Sequence, residues 1–112
     1  MQLFHIVDPS VWATAVAAGE YRPASIDSEG FIHFSFADQV TGTANARYRD
    51  AAELIVVEVE SDAIPGELRI EDSYGSGVEF PHIYGPVPTA AATSTHALTR
   101  DGNGDWVFSR AG

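Results

Sequence analysis

Apolar and polar residues alternate at the start of the chain, which predicts a strand over residues 3–7. A helix is predicted to follow, because Asp8 can accept a hydrogen bond from the first turn and Pro9 suits that turn. Gly19 provides a natural end for this helix. Its apolar side would carry Val11, Trp12, Ala15 and Val16.

The next stretch combines a polar segment with a compact apolar run. Residues 20–30 are polar, include a proline and a glycine, and are interpreted as a connecting loop. Residues 31–35 (FIHFS) are aromatic and β-branched, which predicts a short strand. Ser35 and Asp38 resemble a capping box, so a second helix is predicted from just after Ser35 to about Arg49.

The clearest strand of the chain covers residues 54–60. Branched aliphatic residues alternate there with glutamates, which predicts an antiparallel strand with one buried face and one solvated face. The inward residues would be Ile55, Val57 and Val59, and the outward ones Glu58 and Glu60.

Further strands are predicted in the second half, at residues 68–71 and 83–87. Three prolines in and around the latter segment favour an edge position. Residues 95–99 and 106–109 flank a glycine-rich turn and are predicted to form a final hairpin. Early helices followed by strands predict an α+β fold, with two helices on a curved, mostly antiparallel sheet in a single domain over residues 1–112.

Composition excludes several kinds of chemistry. The chain has no cysteine, which excludes disulfides, thiolate metal sites and a cysteine nucleophile. It also has no lysine, which excludes a Schiff-base lysine and the lysine of a phosphate-binding loop.

Charge narrows the class of partner. Six arginines against sixteen acidic residues give a net charge of −10, which disfavours nucleic acids and anionic membranes. A local arginine pocket for one phosphorylated small molecule remains compatible with that charge, and Arg47, Arg49 and Arg69 are the available anion contacts. The N-terminus lacks a basic segment and a long apolar run, so a cytoplasmic location without a signal peptide is expected.

Histidines within apolar runs are the main candidates for chemistry. By alternation His33 and Ser35 project to one face, as do His82 and Tyr84, and the two pairs facing one cleft would supply imidazoles near their useful pKa. The alternative is that each side chain only packs in the core or at its rim. The wide spacing of the histidines predicts no metal site. The four are His5, His33, His82 and His96, of which the last is assigned no role.

Several runs together resemble the bacterial family known as domain of unknown function 952: LFHIV, GFIHFS, LIVVEVE, LRIED and FPHIYGPV, with Gln39 and Arg47-Tyr48 between them. The resemblance extends over about residues 3–87. It implies an ADP-ribosyltransferase-like fold, a split antiparallel sheet whose cleft holds nicotinamide adenine dinucleotide (NAD) in the enzymes that share it.

The resemblance also implies roles for individual residues. His5 would orient a ribose hydroxyl and Ser35 would add a hydrogen bond. Glu71 is the first candidate to stabilise positive charge at an anomeric carbon, and Glu79 is the second. His82 has no clear counterpart in the transferases, but in an enzyme it is a candidate acid or base. The remaining candidate ligand contacts are His33, Gln39, Arg47, Tyr48 and Tyr84.

Three functions remain open from the sequence. The first is an intracellular enzyme or binding protein for a nucleotide-like ligand, with NAD as the implied cofactor and glycosyl or ADP-ribosyl transfer as the implied reaction. The second is a non-catalytic module that binds a small ligand or a protein through the same cleft. The third is a protein that acts by association, with histidines that only pack. The sequence leaves the oligomeric state open.

Overall fold

The computed structural model describes residues 1–109 and contains short strands and three α-helices in that part of the chain. The strands are β1 (Gln2–Val7), β2 (Glu20–Tyr21), β3 (Ile32–His33), β4 (Ile55–Glu60), β5 (Glu67–Glu71), β6 (Phe80–Tyr84), β7 (Val87–Pro88), β8 (Ala92–Ala97), β9 (Thr99–Arg100) and β10 (Trp106–Val107). The α-helices are α1 (Pro9–Ala18), α2 (Ser25–Glu29) and α3 (Val40–Arg47), and 3₁₀ turns occur at Ala37–Gln39, Ser61–Ala63 and Thr89–Ala91. None of these helices is long and apolar enough to cross a membrane.

Two three-stranded antiparallel sheets form the framework, in the orders β1-β4-β8 and β3-β6-β5. They meet where Phe4 and Ser35 exchange backbone hydrogen bonds of 2.9 and 2.7 Å. The predicted α+β class with antiparallel strands is therefore confirmed. This bridge matters for the site, because it brings β1 of one sheet beside β3 of the other.

The strand β4 is buried on both faces, so the predicted solvated face is wrong. Val57 and Val59 pack in one apolar cluster with α1 and the second sheet. Val56 packs in another cluster with α3 and the final hairpin, which cover the face expected to be wet. Glu58 lies on that covered face and is only 3% exposed.

The helix α1 begins and ends as predicted. The Asp8 side chain accepts a hydrogen bond from the Ser10 N–H at 2.7 Å, and Gly19 ends the helix with a φ of 82°. Glycine reaches that left-handed conformation without strain. Only part of the predicted apolar side is buried: Trp12 and Ala15 are buried, whereas Val11 and Val16 are 48% and 53% exposed.

Two other predictions, the loop over residues 20–30 and the edge position of the strand with three prolines, are wrong. Residues 20–30 contain β2, which pairs with β7, and the short helix α2. The strand that was expected at an edge corresponds to β6, which is central, between β3 and β5. Pro81 is tolerated within β6 because its carbonyl still accepts the Phe34 N–H at 2.9 Å. Its missing N–H removes a bond only at the end of the short ladder with β3.

The second helix starts and ends differently from the prediction. A 3₁₀ turn precedes it, in which the Gln39 side-chain oxygen accepts the Phe36 N–H at 2.9 Å in place of a cap by Ser35 and Asp38. The helix α3 ends at Arg47 rather than near Arg49.

The final hairpin is also shorter than predicted. It consists of β9 and β10, whereas residues 95–97 belong to β8 and pair with β4.

Candidate functional site

A cavity of about 270 Å³ lies where β1, β2, β3, α2 and the end of α3 meet. We call it the histidine cavity. It brings together four of the ten candidate residues, along with side chains that the sequence did not single out. The lining residues that matter here are His5, Tyr21, Glu29, His33, Arg47 and Tyr48.

The hydrogen bonds of His5 fix its tautomer. Its Nδ1 lies 2.8 Å from the carbonyl oxygen of His33, so Nδ1 carries the proton and donates it. Its Nε2 lies 2.7 Å from the Tyr21 hydroxyl, which therefore donates to it. Burial lowers the pKa of His5 to about 4 and raises that of Tyr21 to about 12. His5 is therefore uncharged near neutral pH, and Tyr21 keeps its proton.

A line of hydrogen bonds runs from Glu71 through His82 to His33. The Glu71 Oε1 lies 3.0 Å from His82 Nδ1, and His82 Nε2 lies 3.2 Å from His33 Nδ1. A carboxylate only accepts hydrogen bonds, so His82 Nδ1 is the donor. With its one proton on Nδ1, His82 accepts at Nε2 from His33 Nδ1–H, and in this arrangement His33 Nε2 is an acceptor.

The Nε2 atom of His33 is buried and has no hydrogen-bond partner within residues 1–109. Burial, the charge of Arg47 and the neighbouring His82 lower the pKa of His33 to about 3. Both histidines that line the cavity are thus uncharged near pH 7, so His33 does not supply the imidazole near its useful pKa that the sequence predicted. A buried acceptor without a partner costs about 1–3 kcal/mol, which a suitable donor would recover.

Three candidate residues support His33 from behind and do not line the cavity. His82 is fully buried and stacks on Phe31, with ring centroids 3.9 Å apart and an angle of 10°. The Tyr84 hydroxyl donates to Glu71 Oε1, and this bond, followed by the one from His82, lowers the pKa of Glu71. Glu71 is therefore held as a carboxylate that orients His82.

The last three candidates lie elsewhere. Ser35 is buried, and its backbone forms the bridge to Phe4 between the sheets. The Gln39 Nε2 donates to the backbone carbonyl of Glu79 at 2.9 Å. The Glu79 residue is exposed and does not line the histidine cavity.

A second cavity of about 390 Å³, which we call the groove, lies beside the histidine cavity. Arg47 borders both spaces, and its guanidinium carbon lies 4.4 Å from the centre of the Tyr74 ring. The Tyr74 hydroxyl donates to Glu29 Oε2 at 3.0 Å. Other groove residues are Gly42, Ala46, Val78 and Phe80.

Sequence reasoning missed Tyr21, Glu29 and Tyr74. Tyr21 and Glu29 lie in the segment interpreted as a loop, and Tyr74 lies in the loop between β5 and β6. An aromatic residue inside a glycine- and serine-rich loop was the one local signal available for Tyr74. Within residues 1–109, no group of three or more histidine, aspartate or glutamate side chains is arranged to hold a metal ion.

Comparisons with known proteins give a family and a set of similar structures. The family described as "Protein of unknown function (DUF952)" matches residues 6–95. The crystal structure of protein CC0527 from Caulobacter crescentus is 30% identical, with a TM-score of 0.83, over 96% of this chain and 94% of that chain. Its solution NMR structure is 31% identical, with a TM-score of 0.80, over 93% and 90%. No functionally curated protein matches this chain.

Proposed function

The chain belongs to the DUF952 family of proteins of unknown function, and we propose that it binds a small phosphorylated, nucleotide-like ligand in the histidine cavity. The observation that carries this proposal is the His33 Nε2 atom, which is buried and has no hydrogen-bond partner within residues 1–109, beside a cavity bordered by Arg47. An acceptor and a cation at one cavity suit a ligand that has both a hydroxyl and a phosphate.

The lowered pKa of His33 and its hydrogen bonds favour ligand binding over proton transfer at this cavity. A general base works best with a pKa near the working pH, whereas the pKa of His33 is lowered to about 3. The line through His82 to Glu71 instead holds the His33 ring in one tautomer and orientation. We therefore assign His33 to accept a hydrogen bond from a ligand hydroxyl.

Charge explains why Arg47 is suited to an anion. The chain carries −10 overall, so a bound phosphate needs a local cation to overcome the general repulsion. The Arg47 guanidinium can donate two parallel hydrogen bonds to a phosphate while its flat face rests on Tyr74.

Size limits what enters the cavity. Its volume of about 270 Å³ is just below the roughly 300–1,000 Å³ that small-molecule pockets span. We therefore expect a sugar phosphate or the sugar-phosphate part of a nucleotide to enter it. NAD would place only one part of its length there.

Glycosyl or ADP-ribosyl transfer from NAD is the second candidate function. It is supported by the lowered pKa of Glu71, because a carboxylate held ionised can stabilise positive charge at an anomeric carbon. Two antiparallel sheets that meet at one bridge also suit the ADP-ribosyltransferase-like fold that we propose with it. In this function His82 would act as the acid or base through His33, to which it is hydrogen-bonded, and Glu79 would be the alternative to Glu71.

Thermal unfolding with a panel of ligands tests the binding function. A ligand present at 100 times its Kd stabilises the native state by about 2.7 kcal/mol, which a melting shift detects. We expect ribose 5-phosphate and nucleoside monophosphates to raise the melting temperature and His33→Ala to abolish the rise. If these compounds give no melting shift while a second protein chain does, the protein acts by association with that chain and the binding function is rejected.

Release of nicotinamide from NAD tests the transfer function, measured by chromatography. Transfer predicts release that Glu71→Gln abolishes, with Glu79→Gln as the comparison. Binding of NAD without release, unchanged by either substitution, would leave the binding function in place and reject transfer.

A further inference from the structure

The groove has the shape and chemistry of a slot for a planar ring. One wall is the surface of α3 at Gly42 and Ala46, which are one helical turn apart. The other lining residues include the apolar Val78 and the aromatic Phe80. A Cβ atom added at Gly42 would contact nothing within 4 Å, so this wall is open. Flat apolar walls of this kind stack on aromatic rings without reading their edges.

The groove and the histidine cavity share residues at their junction. Arg47 borders both spaces, and Tyr74 lies between its guanidinium and Glu29 of the histidine cavity. His33 lines the histidine cavity, yet its ring centre is only 4.8 Å from that of Phe80 in the groove wall. A ligand that contacts His33 and Arg47 therefore lies within reach of the groove.

We propose that the two spaces form one cleft and that the ligand is a nucleoside monophosphate, with its base in the groove. The ribose lies at the junction, its phosphate contacts Arg47, and its hydroxyl groups reach towards His33. This proposal rests on the proposed function, which requires only that the sugar-phosphate part binds.

Binding of ribose 5-phosphate, AMP and GMP, measured by calorimetry, separates the two proposals. Ala46→Leu should fill the groove, and Ala13→Leu is the matched control, since both alanines are exposed on helices and Ala13 lines neither space. We expect AMP and GMP to bind at least tenfold more tightly than ribose 5-phosphate. We expect Ala46→Leu to remove that advantage, to leave ribose 5-phosphate unchanged, and Ala13→Leu to have no effect.

Other outcomes overturn one proposal or both. If the three compounds bind equally, or if Ala46→Leu leaves AMP and GMP unaffected, the base does not occupy the groove. Binding of ribose 5-phosphate that requires His33 would still support the proposed function in that case. If none of the three compounds binds, both proposals are overturned.

Discussion

His33 Nδ1 and His82 Nε2 lie 3.2 Å apart and join a half-buried histidine at a cavity to a fully buried one behind it. The two rings come from neighbouring strands and face each other in register. Although the two residues looked equivalent in the sequence, their surroundings differ. Their substitutions should therefore have different effects.

The first prediction concerns this pair. His82→Ala should lower the free energy of unfolding by about 3 kcal/mol, because it removes a buried ring that stacks on Phe31 and two hydrogen bonds. His33→Ala should cost only about 1 kcal/mol and should abolish ligand binding. Urea unfolding and calorimetry measure these two effects. Equal, large losses of stability with binding intact would assign both residues to the core alone.

The second prediction concerns pH. Burial lowers the pKa of His5 to about 4, below its ordinary value near 6.5, so the unfolded chain binds more protons than the native one between those values. Stability from this residue is complete above about pH 6.5 and is lost as pH falls towards 4. We expect His5 to contribute a loss of about 2 kcal/mol between pH 7 and 5. Burial lowers the pKa of His33 as well, and its contribution has the same sign.

Urea unfolding at several pH values checks this, with His5→Asn as the comparison. The variant should be less stable at pH 7 and should lose less stability on acidification than the wild type. An unchanged slope would show that His5 is not buried in its uncharged form.

The third prediction compares two arginines in matched settings. Arg47 and Arg69 each lie 4.4 Å from the centre of a tyrosine ring, on Tyr74 and Tyr84 respectively, and both are exposed. Arg47→Gln should weaken binding of ribose 5-phosphate at least tenfold and reduce its dependence on salt, because a charged contact to phosphate is lost. Arg69→Gln should leave binding unchanged. Equal losses of affinity in the two variants would show that the net charge of the protein, rather than a contact at Arg47, determines binding of the phosphate.

The fourth prediction concerns the opposite face of the first sheet. His96 Nε2 lies 2.9 Å from Glu58 Oε1, and Glu58 is almost completely buried. His96→Ala should lower the free energy of unfolding by about 2 kcal/mol, because a buried carboxylate loses a partner. Binding in the histidine cavity should not change, as calorimetry can verify. A loss of binding would show that the two faces are coupled.

The predictable part of the fold was the part with local signals. Asp8, Pro9 and Gly19 mark the ends of α1 because the groups they satisfy lie within the same few residues. Residues 20–30 could not be interpreted in the same way, since β2 has only two residues and exists through its pairing with β7. The strand β6 was misplaced for the same reason, because its position depends on partners on both sides rather than on its prolines.

The candidate site was partly predictable. Apolar flanks singled out His5, His33 and His82, and all three occur in one hydrogen-bonded arrangement. Their division into lining and supporting residues depends on which strand of the second sheet lies beside β1, which no local pattern encodes. The involvement of Tyr74 with Arg47 is likewise a contact between a loop and a helix that are distant in the chain.

The backbone bridge between Phe4 and Ser35 links ligand binding to the stability of the contact between the two sheets. His5 and His33 lie on opposite sides of this bridge, so a ligand that contacts both residues would hold the two sheets together. The two sheets could then separate at this bridge only after the ligand has dissociated. The amide protons of Phe4 and Ser35 would therefore exchange with solvent more slowly in the ligand-bound protein, and the slowing would increase with the affinity of the ligand.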